Sequence, residues 1–218
     1  MNHNANPTPT LNVPMPVKVW DAPTRVFHWL AVLSFSVAYL TAESERWRLV
    51  HVTFGYTLGA LLLFRLLWGI AGTRYARFSS FVRGPAAVLR YLRSLWSGLP
   101  EHHIGHNPAG AVAIVLMVGL GLMQLFSGWA IYNEVGGEWL EELHELSANT
   151  MLTVIAVHVA GVLSASYLHR ENLVRAMVTG RKIGMAVEGI ASTRRVIAVL
   201  MVVAVAAFWF YQWRTAPV

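Results

Sequence analysis

The sequence predicts an all-α membrane protein: a four-helix transmembrane bundle, a fifth C-terminal transmembrane helix, and a short amphipathic helix at the membrane surface. Of the 218 residues, 56% are hydrophobic and only 13% are charged, unlike a soluble protein. Five apolar runs are long enough to cross about 30 Å of hydrocarbon. They cover residues 24–42, 50–71, 110–132, 143–167 and 196–213. Four of the nine histidines lie within these runs.

The first run is the least apolar, because it holds several hydroxyl groups and His28. Asp21 is a suitable N-cap for it, with Pro23 in the first turn. Trp20, just before the cap, is a residue type that favours the membrane interface. The sequence therefore predicts a helix that starts at the membrane surface and carries a histidine about one turn inside.

The second run has His51 at its start, followed by Gly55 and Gly59 one turn apart. These glycines indicate either close helix packing or room for a flat macrocycle beside the histidine. Between the second and third runs, apolar residues at helical spacing in VLRYLRSLW predict the amphipathic surface helix. The glycines of the third run, Gly119, Gly121 and Gly128, predict close helix contacts. The fifth run has no ionisable residue and is expected to be structural.

Four histidines within the predicted spans form two pairs by depth. His144 and His158 are fourteen residues apart, so one helix brings them within about 40° of each other and about 21 Å apart along its axis. His28 lies towards the same end as His158, and His51 towards the same end as His144. Two imidazoles are the axial ligands of a bis-histidine haem. The pattern predicts one haem b on His28 and His158, called the inner haem, and a second haem b on His51 and His144, called the outer haem. The alternative is four unrelated core or interfacial histidines.

Other polar residues are weaker candidates. Arg65 lies fourteen residues beyond His51 on nearly the same face, where it either reaches the membrane surface or pairs with a haem propionate. Three further histidines, His102, His103 and His106, lie in EHHIGHNPAG, but no cysteine or acid completes a zinc site at suitable spacing, so a solvated loop is predicted. The chain has no cysteine, which excludes disulfides and covalent c-type haem.

Charge predicts the orientation in the membrane. Of the 17 Lys and Arg residues, 13 fall in three segments: the N-terminal part through Arg25, residues 72–109 and residues 168–195. The loop Glu134–Glu145 on the opposite side is acidic. The positive-inside rule then places the N-terminus in the cytoplasm and the C-terminus in the periplasm. The pI of about 10.1 is explained by lipid headgroups and not by nucleic acid. No signal peptide is predicted.

Several motifs together resemble one family. They are VWDAPTRVFHW, HVTFGY, FVRGPAAVLRYLRSLWSG, GHNPAGA, the spaced histidines of HELSANTMLTVIAVH, and HRENLVRAMVTGRK. These motifs are similar to the bacterial cytochrome b561 / Ni,Fe-hydrogenase b-type cytochrome family, whose members are membrane dihaem proteins. The resemblance implies the same four haem ligands. It also implies a quinone pocket near the inner haem, where the nearby polar groups are Trp20, Asp21, Arg25 and His169.

The resemblance divides the chain into a mobile cytoplasmic tail (1–18), a cytochrome b561-like dihaem domain (19–182), and a linker with the fifth helix (183–218). No part outside the apolar runs is expected to bury a core of its own. The expected function is electron transfer between a periplasmic redox protein, docked at the acidic loop around Glu134–Glu145, and the quinone pool. Two alternatives stay open: a membrane-anchor subunit of a periplasmic hydrogenase or other dehydrogenase, and a stand-alone superoxide/quinone oxidoreductase. A proton-coupled transporter is more remote, and a homodimer is left open.

Overall fold

The computed structural model describes residues 13–97 and 101–216 of the chain, and five long α-helices dominate it. In chain order the helices are α1 (Ala22–Thr41), α2 (Arg48–Ala71), α3 (Phe78–Phe81), α4 (Pro85–Trp96), α5 (Pro108–Tyr132), α6 (Trp139–Leu168), α7 (Leu173–Thr179) and α8 (Arg195–Thr215). Two strands, β1 (Met15–Lys18) and β2 (Arg181–Gly184), pair antiparallel. The long helices match the five predicted runs, and their ends differ by at most four residues.

The predicted helical membrane fold is confirmed. Within the described ranges, four helices are long and apolar enough to cross a membrane: α2 with its preceding 3₁₀ turn, α5, α6 and α8. Helix α1 has 20 residues, which rise about 30 Å, the thickness of the hydrocarbon layer. It does not belong to this apolar set, because Arg25, His28 and its hydroxyl groups lower its hydropathy. Large apolar side chains on the outer faces, such as Leu40, Leu67 and Leu200, are exposed as lipid contact requires.

Local sequence explains where the helices start. The side chain of Asp21 accepts a hydrogen bond from the Thr24 backbone N–H at 2.8 Å, so the predicted N-cap of α1 is confirmed. Asn107 caps α5 in the same way, accepting from the Gly110 N–H at 2.7 Å, with Pro108 in the first helical position. These caps fix the ends of the helices that lie beside the candidate site.

The bundle is held together by close helix contacts. Helix α5 packs along α6, α1 packs along α2, and α8 lies against α1 and α2. A Cβ atom on Gly59 would collide with a Leu125 methyl group, so this glycine serves α2–α5 packing; the space beside Gly55 is open. Gly121 and Gly128 also make the predicted close contacts, but Gly119 has no neighbour within 4 Å, so that prediction is wrong for Gly119.

A small assembly, here called the basic cap, covers the end of the bundle where the three basic segments meet. It comprises residues 13–21, 73–84, 101–107 and 169–194. The strand pair β1–β2 joins its first and last parts, the Tyr75 hydroxyl donates to the Glu188 carbonyl at 2.8 Å, and Lys182 Nζ donates to the His103 carbonyl at 3.1 Å. The three basic segments therefore lie on one side of the bundle.

The basic cap corrects two expectations. Val17, Val19 and Trp20 form a small buried cluster with Tyr75 and other cap residues, so a second hydrophobic core exists outside the helical runs. The predicted tail of residues 1–18 extended too far, because Met15–Lys18 form β1; residues 1–12 of that tail lie outside the described ranges. Long-range strand pairing produces both features.

The predicted amphipathic helix is confirmed as α4. Tyr91 on one face is buried against the protein, whereas Leu89, Leu92 and Trp96 are exposed on the other. Exposed apolar side chains beside arginines are typical of a helix lying on a membrane surface. The placement of α4 on the same side as the basic cap agrees with that role.

Candidate haem sites in the helix bundle

The structure brings the outer histidines together. His51 lies near the start of α2 and His144 near the start of α6, and their ring centroids are 6.1 Å apart with an interplanar angle of 67°. A metal bonds an imidazole nitrogen at about 2 Å, and each such nitrogen lies about 1 Å from its ring centre, so two imidazoles on one metal have centroids about 6 Å apart. The measured spacing fits a haem iron held between the two rings.

One of the two ring nitrogens of His51 already forms a hydrogen bond. Its Nδ1 lies 2.8 Å from the Ala38 carbonyl oxygen on α1. A carbonyl can only accept a hydrogen bond, so Nδ1 carries the proton and Nε2 keeps its lone pair. Metal-bound histidines usually have such a partner behind them, which fixes the tautomer and the ring orientation.

His144 is fixed in the same tautomer by a serine. The Ser127 hydroxyl lies 2.9 Å from His144 Nδ1 and donates its hydrogen to the Met123 carbonyl at 2.8 Å. A hydroxyl has one hydrogen, so a serine oxygen that donates to Met123 accepts from Nδ1–H, which leaves Nε2 of His144 free. A Cβ atom on Gly128 would lie 3.0 Å from the ring, so a larger residue there would press on the imidazole. Sequence reasoning missed Ser127, because a serine inside an apolar run has no distinctive local pattern.

The predicted inner ligands are His28 on α1 and His158 on α6. His28 Nδ1 is buried, and in the described part of the chain it has no hydrogen-bond partner. Nearer the other end of the bundle, the Tyr39 hydroxyl donates to Asn149 at 2.9 Å and links the same two helices. A buried nitrogen without a partner is costly, so His28 has a ring nitrogen that a ligand would satisfy.

Arg65 is buried at the cap end of α2, with 3% of its surface exposed. Its guanidinium stacks on Phe78 at 4.6 Å and on Phe81 at 5.8 Å. Atom Nη1 has no hydrogen-bond partner within residues 13–97 and 101–216. This covered position disfavours the alternative in which Arg65 reaches the membrane surface, which would require an exposed guanidinium.

His106 departs from the predicted solvated loop. Its ring packs between Trp20 and Phe81, each with a centroid distance of 4.5 Å. Burial lowers the pKa of His106 to about 3, and positive charge on Arg65 and other nearby groups adds to the effect. The one sequence signal for a buried His106 was its position directly before Asn107, the N-cap of α5. His102 remains exposed as predicted, and no group of three metal-binding side chains forms among the described residues.

Of the residues predicted for a quinone or propionate region, Trp20 and Arg25 both lie beside Gly180, with Asp21 between them in the chain. Asp21 accepts hydrogen bonds from the Thr24 N–H, Trp68 Nε1 and the Thr73 hydroxyl, so its role is structural. Trp20 is buried in the basic cap. Arg25 donates to the Val178 carbonyl on α7.

His169 lies apart from these residues. It packs beside His102, with ring centroids 5.7 Å apart. Together with Glu171 and Lys182 it lines a cavity of about 40 Å³ that includes neither Trp20 nor Arg25.

The bundle, with its facing histidines, defines a helical membrane cytochrome. Residues 19–180 match the prokaryotic cytochrome b561 family, and the chain belongs to that family. Haem b is therefore the cofactor that the family implies, and electron transport in the membrane is its general function. The spacing of His51 and His144 and the hydrogen bonds at their Nδ1 atoms fit such a cofactor.

Three relatives illustrate the similarity. The chain is 22% identical over 214 residues (76% of this chain, 81% of the relative) to the probable Ni/Fe-hydrogenase B-type cytochrome subunit of Rhodobacter capsulatus. The probable Ni/Fe-hydrogenase 1 B-type cytochrome subunit of Escherichia coli is 30% identical over 150 residues (53% and 60%). The corresponding protein of Azotobacter vinelandii is 26% identical over 212 residues (75% and 87%). No solved structure matches the chain.

Proposed function

We propose that the chain carries electrons across the membrane by means of two bis-histidine haems b. His51 and His144 are the ligands of the outer haem, and His28 and His158 those of the inner haem. The observation that carries the proposal is the geometry of His51 and His144. Their ring centroids are 6.1 Å apart, and in each ring Nδ1 forms a hydrogen bond while Nε2 is free to bind iron. Bound haem b supplies a one-electron carrier with no open coordination position, which favours electron transfer over oxygen chemistry.

The protein contributes position and environment. Helix α6 holds one histidine of each pair, and its rigidity sets the two ligand levels about 21 Å apart along its axis. The carbonyl of Ala38 and the hydroxyl of Ser127 orient the outer imidazoles and increase their basicity. The surrounding apolar side chains exclude water, which tunes how easily each site accepts an electron.

We place the basic cap in the cytoplasm and the Glu134–Glu145 loop in the periplasm of a bacterial inner membrane. The support is the joining of all three basic segments on one side of the bundle, as the positive-inside rule requires. On the opposite side, Trp139 and Val135 are exposed among the glutamates. An apolar centre with an acidic rim suits a redox protein with a basic docking face.

The names of the relatives favour a second candidate for the same chain. They are Ni/Fe-hydrogenase B-type cytochrome subunits, so the periplasmic partner of this chain is proposed to be a hydrogenase or another dehydrogenase that the cytochrome anchors. Co-purification of a catalytic subunit in mild detergent would support the anchor role. Turnover of superoxide with quinone by the purified chain alone would support the stand-alone oxidoreductase instead.

The proposed quinone site lies at the cap end of α6. An open groove of about 380 Å³ there is lined by Leu163, Tyr167, Val174 and neighbouring residues, a volume within the usual range of ligand pockets. Glu171 borders both this groove and the small cavity beside His169. Filling the groove with Leu163→Trp is expected to abolish haem reduction by a quinol while both haems stay bound; undiminished reduction would contradict this placement.

Transmembrane transfer is tested with the full chain in liposomes. Ferricyanide is trapped inside, and dithionite, an anion that crosses membranes slowly, is added outside. We expect the wild-type chain to speed ferricyanide reduction, whereas His51→Ala and His28→Ala each return the rate to that of empty liposomes. His102→Ala, an exposed histidine, is the control and should behave as wild type. A His51→Ala or His28→Ala variant with the wild-type rate would contradict the two-haem path.

A further inference from the structure

Arg65 is a buried cation whose charge is not matched by a nearby free carboxylate. Its surface is 3% exposed, and in the described part of the chain it forms no ion pair. The interacting acid is Asp21, but that carboxylate already accepts hydrogen bonds from Thr24, Trp68 and Thr73. A buried charge without a hydrogen-bonded counter-charge is strongly unfavourable. An anionic group beside Arg65 would remove this cost.

His106 supplies a second unsatisfied group next to Arg65. The Phe81 ring contacts both, at 5.8 Å from the guanidinium carbon and 4.5 Å from the imidazole centroid. Nδ1 of His106 is buried, and among residues 13–97 and 101–216 nothing bonds to it. The charged and titratable groups acting on His106 are Arg65, Lys182, His28 and His158, all of which are cationic when charged. The surroundings of His106 therefore favour a negative charge.

The chemistry of the two side chains selects a carboxylate. A guanidinium presents parallel N–H donors that match two carboxylate oxygens, and an imidazole N–H adds a third donor. Trp20, Phe78 and Phe81 cover the two groups with aromatic rings, which shields the interaction from water and strengthens it.

We propose that Arg65 and His106 form a buried carboxylate-binding pair that holds a propionate of the inner haem. The proposal rests on the proposed function, since His28 and His158, the two inner ligands, are the histidines that interact with His106. Arg65 and His106 come from different segments, α2 and the loop before α5. The propionate therefore ties the basic cap to the bundle, and the cap becomes part of the haem site.

The test uses the full chain in detergent with Arg65→Gln, Arg65→Lys and His106→Gln. The matched controls are Arg48→Gln, an exposed arginine paired with Glu45, and His102→Gln. Loss of a charge-assisted hydrogen bond is expected to speed transfer of the inner haem to excess apomyoglobin about tenfold or more. Arg65→Gln should also lower the midpoint potential of the inner haem, because removing a cation favours the more positive ferric state. Arg65→Lys keeps the positive charge, so its midpoint potential should lie between those of Arg65→Gln and the wild type.

The source of the carboxylate is identified by redox-difference infrared spectroscopy with haem labelled with carbon-13 at the propionate carboxyls. In the wild type we expect a label-sensitive carboxylate band that shifts in Arg65→Gln and His106→Gln. Band shifts in these variants that do not respond to the label would mean that a lipid or free carboxylate fills the pair, and would overturn the propionate assignment. Two bound haems with release rates and potentials equal to those of the controls would overturn this inference alone. A wild-type chain without haem would overturn the proposed function as well.

Discussion

Replacing Ser127 with alanine tests how the outer imidazole is held. The Ser127 hydroxyl lies 2.9 Å from His144 Nδ1, and its own hydrogen is donated to the Met123 carbonyl. Alanine would leave the Nδ1–H group half-buried inside the bundle without an acceptor. The ring would lose the bond that fixes its tautomer and its orientation, although His144 itself would be unchanged.

The size of the effect follows from that lost bond. A buried donor left without a partner costs about 1–3 kcal/mol, and removing the group behind a metal-bound histidine lowers metal affinity about 10–100-fold. Since about 1.4 kcal/mol corresponds to a factor of ten, the two figures agree on a loss of about tenfold or more. The inner haem, whose ligands do not touch Ser127, should keep its affinity.

The assay is the rate of haem transfer to excess apomyoglobin, with the two haems distinguished by their reduction potentials. The matched control is Ser166→Ala near the cap end of α6, because Ser166 also donates to the carbonyl four residues back, at 2.7 Å. We expect Ser127→Ala to release one haem at least tenfold faster than Ser166→Ala. Equal release from the two variants would refute the tautomer argument.

Three further predictions follow from single contacts. Gly128→Ala places a Cβ atom 3.0 Å from the outer imidazole and should weaken the outer haem, whereas Gly119→Ala, with open space around it, should keep both haems; equal haem content would contradict the contact. His158→Ala should abolish the inner haem and leave most of the outer one, as counted by pyridine haemochrome; retention of both would mean that the pairing is wrong. Lys182→Met leaves its partly buried carboxylate partner Glu171, 3.0 Å away, without this counter-charge, so thermal unfolding should report a loss of about 3 kcal/mol. Arg90→Met, in an exposed pair, should lose at most about 1 kcal/mol, and an equal loss in the two variants would contradict a buried role.

Local sequence predicted the helices and the grouping of the outer histidines. Hydropathy and helical spacing act over a few turns, so the five runs and the Asp21 cap are visible without tertiary information. His51 and His144 lie close together because position along a spanning helix nearly fixes the depth of a residue in the membrane. Two residues at the same depth on helices of one bundle therefore lie at the same level, where their side chains can come into contact.

The basic cap lay beyond such reasoning. Strand β1 pairs with β2 across more than 160 residues of sequence, and each strand is only four residues long, so neither has a clear periodic pattern. The burial of Trp20 and His106 depends on this long-range contact. Their sequence context, an aromatic before an N-cap and a histidine in a polar loop, equally favours an exposed position.

The most direct test of the account is the reduced-minus-oxidised visible spectrum of the purified chain, combined with pyridine haemochrome quantitation. Two bis-histidine sites predict two haems b per chain, low-spin bands, and no shift of the reduced spectrum with carbon monoxide, since both axial positions are filled. A single haem per chain, or a carbon monoxide shift, would contradict one of the two histidine pairs. A colourless protein would contradict the whole haem assignment.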